Sequence, residues 1–302
     1  MKRIRLAGKD YTFMKGYQTS PDWRRSLNRL TRQTFGFDFE VWYEQGCWPS
    51  TCIPYSLAAG EAIVSHVTVS LMDFQVLGVQ KRYVQLGTVM THPSSRNRGL
   101  SRFLLGQVLS DWRDKSDLIF LFANDGVRDF YPKFGFYPVT EHQFTARMPG
   151  EGAGSPVRSL HLQAQEDRRL FLDQIQRPNP LSALSLQNGQ GLVRFYAGCM
   201  ELVSFADRLL YIPALDATAV AEYEGDTLLL YEVFADRSVT LPALLAALAR
   251  PGVTNVRFFF TPLDMTGEAI PFAQEDTTLF LLQDMDNPFA GRPLMFPLLS
   301  HT

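Results

Sequence analysis

Several things are scarce in this chain. Cysteine is nearly absent, with Cys47, Cys52 and Cys199 the only three in 302 residues. An odd and sparse set does not describe a disulfide framework. Cys47 and Cys52 lie five apart without a second Cys/His pair at zinc spacing, so reduced thiols in a cytoplasmic protein and no metal site are expected. Nothing approaches the roughly 18 consecutive apolar residues of a membrane span. Met1 to Gly16 is basic, but no apolar run follows, so it does not read as a secretory signal. Charge of one sign is also missing: 29 basic against 31 acidic residues leave −2, which argues against nucleic-acid binding as the main task. What the chain has is an ordinary globular mixture, 46% hydrophobic and 20% charged, long enough for about two domains.

Met148 to Pro156, MPGEGAGSP, has the composition of a linker and divides the chain into nearly equal halves. The expected organisation is 1–148, a linker at 149–156, and 157–302. In the first half, a strand is expected near Thr12–Tyr17. Ser20-Pro21 reads as an N-cap and first helical position, with Trp23, Leu27 and Leu30 on one helix face. Phe35 to Trp48 is irregular and ring-rich. Strands are expected at Ile53–Leu57, Ala62–Met72 and Tyr83–Thr91.

After Thr91 come His92-Pro93 and then Ser94-Ser95-Arg96-Asn97-Arg98-Gly99-Leu100-Ser101-Arg102. Leu100, Phe103, Leu104, Val108 and Trp112 mark the helix that follows. The first N–H groups of a helix lack intrahelical partners, and the dipole adds positive charge there. With Gly99 and the charges of Arg96, Arg98 and Arg102, a diphosphate is the natural guest. The loop lacks the Gly-Lys-Ser/Thr ending of a P-loop and has one glycine, too few for a dinucleotide fingerprint. A basic turn leading into a helix is the plain alternative. A short strand, Leu118–Phe122, then precedes Asn124, a short helix from Val127 to about Lys133, and Gly135-Phe136.

Taken together, Arg96-Asn97-Arg98-Gly99-Leu100-Ser101 and NDGVRDFYPKFGF resemble the two motifs of the GNAT superfamily of acetyl-CoA-dependent N-acetyltransferases, in the right order, over about Tyr11–Phe144. Ser101 and Val127 depart from the small residues usual at those positions. The resemblance implies an α+β fold with a mixed sheet. It implies acetyl-CoA as cosubstrate, its pantetheine arm on Val89, Met90 and Thr91 and its diphosphate on the amides of Asn97 to Arg102. Asn124 would reach the coenzyme and Tyr131 would protonate the leaving thiolate. The acceptor would be a small-molecule or peptide amine, and a homodimer is compatible. A non-catalytic acyl-CoA sensor or interaction protein is the competing reading, against which Tyr131 counts. Glu61, His66, His92 and Asp125 are candidates for the base, and the sequence distinguishes none of them. The rings of Phe35–Trp48 fall where the family builds its acceptor site; a hydrophobic cluster is the alternative.

The second half repeats the order strand, loop, helix, strand at Thr227–Phe234, Leu241–Leu248 and Val256–Phe260, but its loop ADRSVTL has no glycine. It resembles a degenerate second GNAT-like domain in tandem, without a coenzyme site. The final MFPLLSHT is similar to the tails of bacterial members of such a set.

Overall fold

A computed structural model describes residues 1–149, 156–198, 204–265 and 267–302. Most of the expected linker and Cys199 lie outside these residues. The first half runs β1 (Lys2–Leu6), β2 (Lys9–Lys15), α1 (Pro21–Phe35), α2 (Glu40–Glu44), β3 (Cys52–Ala59), β4 (Ala62–Val76), β5 (Val79–Thr91), α3 (Leu100–Trp112), β6 (Leu118–Ala123), β7 (Phe136–Val139) and β8 (Glu141–Arg147). The second runs β9 (Arg158–Ser159), α4 (Gln165–Gln174), β10 (Leu184–Leu186), α5 (Gln190–Gly198), β11 (Leu209–Ile212), β12 (Ala217–Glu224), β13 (Thr227–Phe234), α6 (Leu241–Leu248), β14 (Asn255–Phe258), β15 (Glu268–Phe272) and β16 (Thr278–Leu282). The fold is mixed α+β with mixed sheets, as expected.

Ser20 occupies the N-cap of α1, although its side chain makes no capping bond. Gly36 ends that helix at φ 80°, its N–H donating to Arg32 O at 3.1 Å. Leu27 and Leu30 are its buried apolar positions. Leu100, Leu104, Leu105 and Val108 of α3 bury against Val67, Val84, Leu86, Ile119 and Leu121 of the sheet.

Strand order shows how the halves are joined. The first sheet reads β1-β2-β3-β4-β5-β6-β16-β7, with β10 on β4; the second reads β9-β11-β12-β13-β14-β8-β15. Thus β16, from the second half, lies between β6 and β7, and β8, from the first, lies between β14 and β15. The composition break at 149–156 is therefore not a boundary between sheets. Each half also contains one parallel crossover around a helix: β5–α3–β6 and β13–α6–β14.

Candidate active site

The parallel pairing of β5 and β6 is short. Tyr83–Leu86 pair with Leu118–Leu121, and the ladder stops there. On its other side β5 is bulged: His66 faces Met90 and Thr68 faces Gly87, so Val67 alone opposes Thr88 and Val89. Thr88 takes φ 41°, in the left-handed region that strains a β-branched residue. A cavity of about 1270 Å³ opens where the strands part company. Gly87 is needed at its edge, because a Cβ there would stand 2.7 Å from the Thr302 carbonyl oxygen.

Beyond Thr91 the chain makes a tight turn, with Ser95 N–H donating to His92 O at 2.8 Å. Asn97 and Gly99 both take positive φ, 61° and 74°. Phe103 N–H is the first of α3 to return to a helical carbonyl, that of Gly99 at 3.0 Å, so the amides of Leu100, Ser101 and Arg102 precede the helical ladder. Arg96 Nε donates to Thr91 O at 3.3 Å, and the Arg102 guanidinium lies over the Phe134 ring at 5.4 Å. Val89, Met90, Thr91, Arg96, Asn97, Gly99, Leu100, Ser101 and Arg102 all line the cavity. Arg98 does not: its guanidinium turns back to Ser94 O at 2.8 Å and stiffens the loop. Ser101 Oγ lies 2.7 Å from Thr91 Oγ1, which lies 2.8 Å from Ser65 Oγ.

Asn124 and Tyr131 line the same cavity from the β6 side. The expected helix from Val127 to Lys133 is instead two 3₁₀ turns, Asp125–Val127 and Tyr131–Phe134. Pro132 explains this, since it lacks an N–H and disfavours the α conformation at Tyr131. Tyr131 is 5% exposed, packs edge-on against Phe136 and tilted on Phe280 of β16, and burial pushes its phenol up to about 12. It is protonated at neutral pH.

None of the four base candidates lines the cavity. Glu61 is exposed in its hairpin. His92 Nδ1 bonds Ser94 Oγ at 2.8 Å, Asp125 pairs with Arg128 at 2.5 Å, and His66 is fully buried between Ser56 and Thr68. Asp129 and Asp276 are the carboxylate residues that do line it. Among the described residues no group of His, Cys, Asp and Glu could hold a metal, and Cys47 and Cys52 are free and buried.

The ring-rich segment is both a cluster and a wall. Phe39 and Trp42 are buried, each in ring contact with Phe195 of α5, while Phe35, Phe37, Phe39 and Trp42 also line the cavity. Trp42 Nε1 donates to Gly191 O at 2.8 Å. Sequence spacing gave no sign of this second-half contribution. Nor did it point to the tail, where His301 stacks on Phe122 at 3.7 Å and both His301 and Thr302 line the cavity. The Gln85 side chain, with its nitrogen toward Ser300, donates to Ser300 O at 2.8 Å and accepts from Thr302 N at 3.0 Å, fixing that tail. Among the described residues no helix is long and apolar enough to cross a membrane.

Residues 24–139 match the family model for an acetyltransferase (GNAT) domain. No curated protein matches the sequence. Solved structures similar to this chain include Eis1 from Mycobacterium abscessus, at 14% identity and TM-score 0.57, covering 90% of this chain and 73% of that one. A probable N-acyltransferase from Enterococcus faecalis V583 gives 12%, 0.55, 90% and 72%. A GCN5-related N-acetyltransferase from Kribbella flavida gives 15%, 0.53, 90% and 71%. At these identities the likeness is one of fold, and it extends across both halves. It is over residues 24–139 that the chain is similar to a GNAT acetyltransferase domain.

Proposed function

We propose that the protein binds acetyl-CoA in this cavity and transfers its acetyl group to a primary amine. One observation carries the reading: the β5 end, the amides that open α3, Asn124 and Tyr131 converge on a single cavity from separate elements. The diphosphate sits on the amides of Asn97 to Arg102, with Arg96 and Arg102 adding charge. The pantetheine arm runs along Val89, Met90 and Thr91, and Asn124 reaches it from the end of β6.

The neutral amine attacks the thioester carbonyl carbon. The resulting oxyanion takes a hydrogen bond from a main-chain N–H near Met90. The C–S bond then breaks, and the thiolate takes the proton of Tyr131. A phenol at about 12 is a weak acid for this purpose, each unit of mismatch costing about 1.4 kcal/mol. Burial disfavours a thiolate for the same reason that it disfavours a phenolate, since both lose their charge on protonation, and this reduces the mismatch. The nitrogen, which carries an extra proton from the moment of attack, releases it to water and leaves the neutral amide, and water returns a proton to the Tyr131 phenolate.

The rings of Phe35, Phe37, Phe39, Trp42 and Phe195 favour an acceptor amine on a partly apolar body. The second half is a degenerate repeat of the first: the crossover β13–α6–β14 mirrors β5–α3–β6, and the halves exchange equivalent strands. A thiol-release assay of the purified protein, with acetyl-CoA and a panel of apolar, polycationic and peptide amines, tests the activity. No amine-dependent release from any of them would refute it.

A further inference from the structure

Five side chains run from the protein interior to the cavity wall in one hydrogen-bonded row. The Tyr17 hydroxyl lies 2.6 Å from Ser56 Oγ, and Ser56 Oγ lies 2.8 Å from His66 Nδ1. On the other side of the ring, His66 Nε2 is 2.8 Å from Thr68 Oγ1, which is 2.5 Å from Thr88 Oγ1. Tyr17, Ser56, His66 and Thr68 are buried, and Thr68 and Thr88 line the cavity, Thr88 the more exposed of the two.

The row can be polarised in two ways, and its inner end decides between them. Burial holds His66 far below its ordinary value, so the ring is neutral, with one nitrogen donating and the other accepting. Ser56 is the only partner of the Tyr17 hydroxyl among the described residues. If Tyr17 accepted from Ser56, its own proton would be buried with no acceptor, the costly arrangement. Tyr17 therefore donates to Ser56, Ser56 to Nδ1, Nε2–H to Thr68, and Thr68 to Thr88. That leaves the Thr88 hydroxyl proton free to point into the cavity.

We propose that the Thr88 hydroxyl is a preset donor to the thioester carbonyl oxygen, and to the oxyanion it becomes. Tyr17, Ser56, His66 and Thr68 are positioning residues that fix its direction. The assignment rests on the acetyl-CoA reading above. It follows from direction along β5: the phosphate loop comes after Thr91, so an arm lying back along Thr91 to Val89 brings its sulfur end toward Thr88. The same polarity removes His66 as the base. A proton from the cavity would have to enter against four donors, and Tyr17 offers it no exit.

Nitrogen-15 NMR of the histidines tests the polarity without any ligand. His66 should be the Nε2–H tautomer with a bare Nδ1; an Nδ1–H tautomer, or exchange between the two, overturns the row. Infrared spectra of bound acetyl-CoA carrying a 13C carbonyl test the donor without an acceptor amine. The carbonyl band should rise in Thr88→Val and return in Thr88→Ser. Calorimetry on the same samples separates the failures. Absence of binding to the unaltered protein sinks the acetyl-CoA reading and this assignment with it, whereas binding with an unmoved band sinks the assignment alone. With an active acceptor, Thr88→Val should lower kcat on the order of 10²-fold at nearly constant KM for acetyl-CoA. Tyr17→Phe should lower kcat several-fold alone and not at all in the Thr88→Val background. A Tyr17→Phe effect that persists there would make Tyr17 merely structural.

Discussion

The hydroxyl of Ser101, in the first turn of α3, lies 2.7 Å from that of Thr91, the last residue of β5. Ser65 donates to Met90 O at 3.3 Å, so Thr91 donates to Ser65 and Ser101 to Thr91. The Ser101 hydroxyl is thus committed to joining strand and helix, and only its amide is left to a phosphate. Ser101→Ala should cost about 1 kcal/mol of stability, the ordinary worth of one hydrogen bond, and change acetyl-CoA affinity only slightly. Thermal melts and calorimetry on the same variant check both halves of this expectation.

Gly99 calls for a pair of variants. Its φ of 74° strains any side chain, while a Cβ there meets nothing within 4 Å. Gly99→Ala should therefore lose about 1 kcal/mol of stability and keep most of its affinity for acetyl-CoA. Gly99→Glu adds a carboxylate beside the phosphates and should weaken binding by roughly 10²-fold or more. Equal affinities for the two variants in calorimetry would show that no phosphate binds here.

Tyr131→Phe removes one hydroxyl from a well-packed ring. With an identified acceptor, kcat should fall about 10²-fold while acetyl-CoA affinity is nearly kept. Unaltered turnover would leave Tyr131 a packing residue against Phe136 and Phe280.

Stability should peak on the acid side of neutrality. Burial raises Glu141 to about 8 and Glu232 to about 7, against an ordinary 4.5, and lowers His66 and His301 to about 3 from 6.5. The two carboxyls stay protonated in the fold, so their contribution is complete below 4.5 and is lost as pH rises to 7 and 8. The two imidazoles stay neutral in the fold, so theirs is complete above 6.5 and is lost as pH falls toward 3. Between 4.5 and 6.5 the two pairs offset one another. Above that plateau each carboxyl still titrating costs ~1.4 kcal/mol per pH unit. Denaturant midpoints measured from pH 5 to 9 should be flat, then fall; Glu141→Gln should flatten the alkaline fall.

Ending the chain at Gly154 removes β16 from between β6 and β7. Residues 1–154 alone should aggregate or melt without cooperativity. Expressed together with 157–302, they should form a soluble complex that binds acetyl-CoA, as size-exclusion chromatography and calorimetry would show. A soluble, cooperatively melting 1–154 would mean that β16 is dispensable.

The segment from Tyr83 to Arg102 was legible because its signals are local: an apolar strand, a basic loop, a glycine at positive φ and a helical period. For the same reason β13 and α6 were found with their observed limits. The helix expected around Tyr131 overlooked Pro132, whose effect was readable. Strand exchange was not readable, because nothing in the mostly polar β8, EHQFTAR, or in the continuous apolar run of β16, TLFLL, says which sheet either joins. Nor was the row at 17, 56, 66, 68 and 88, whose members meet only through sheet register and a bulge.

The place of β16 also has a temporal consequence. During synthesis the first 150 or so residues emerge with β6 and β7 unable to pair with each other, since the strand that joins them arrives more than a hundred residues later. Until then two open edges and the floor beneath Tyr131 are exposed, which invites intermolecular pairing. The contacts that close this sheet are among the most distant along the chain, so folding should be slow. The cavity proposed for the coenzyme is therefore one of the last parts of the molecule to be completed, and nascent chains would depend on whatever shields those edges in the interval.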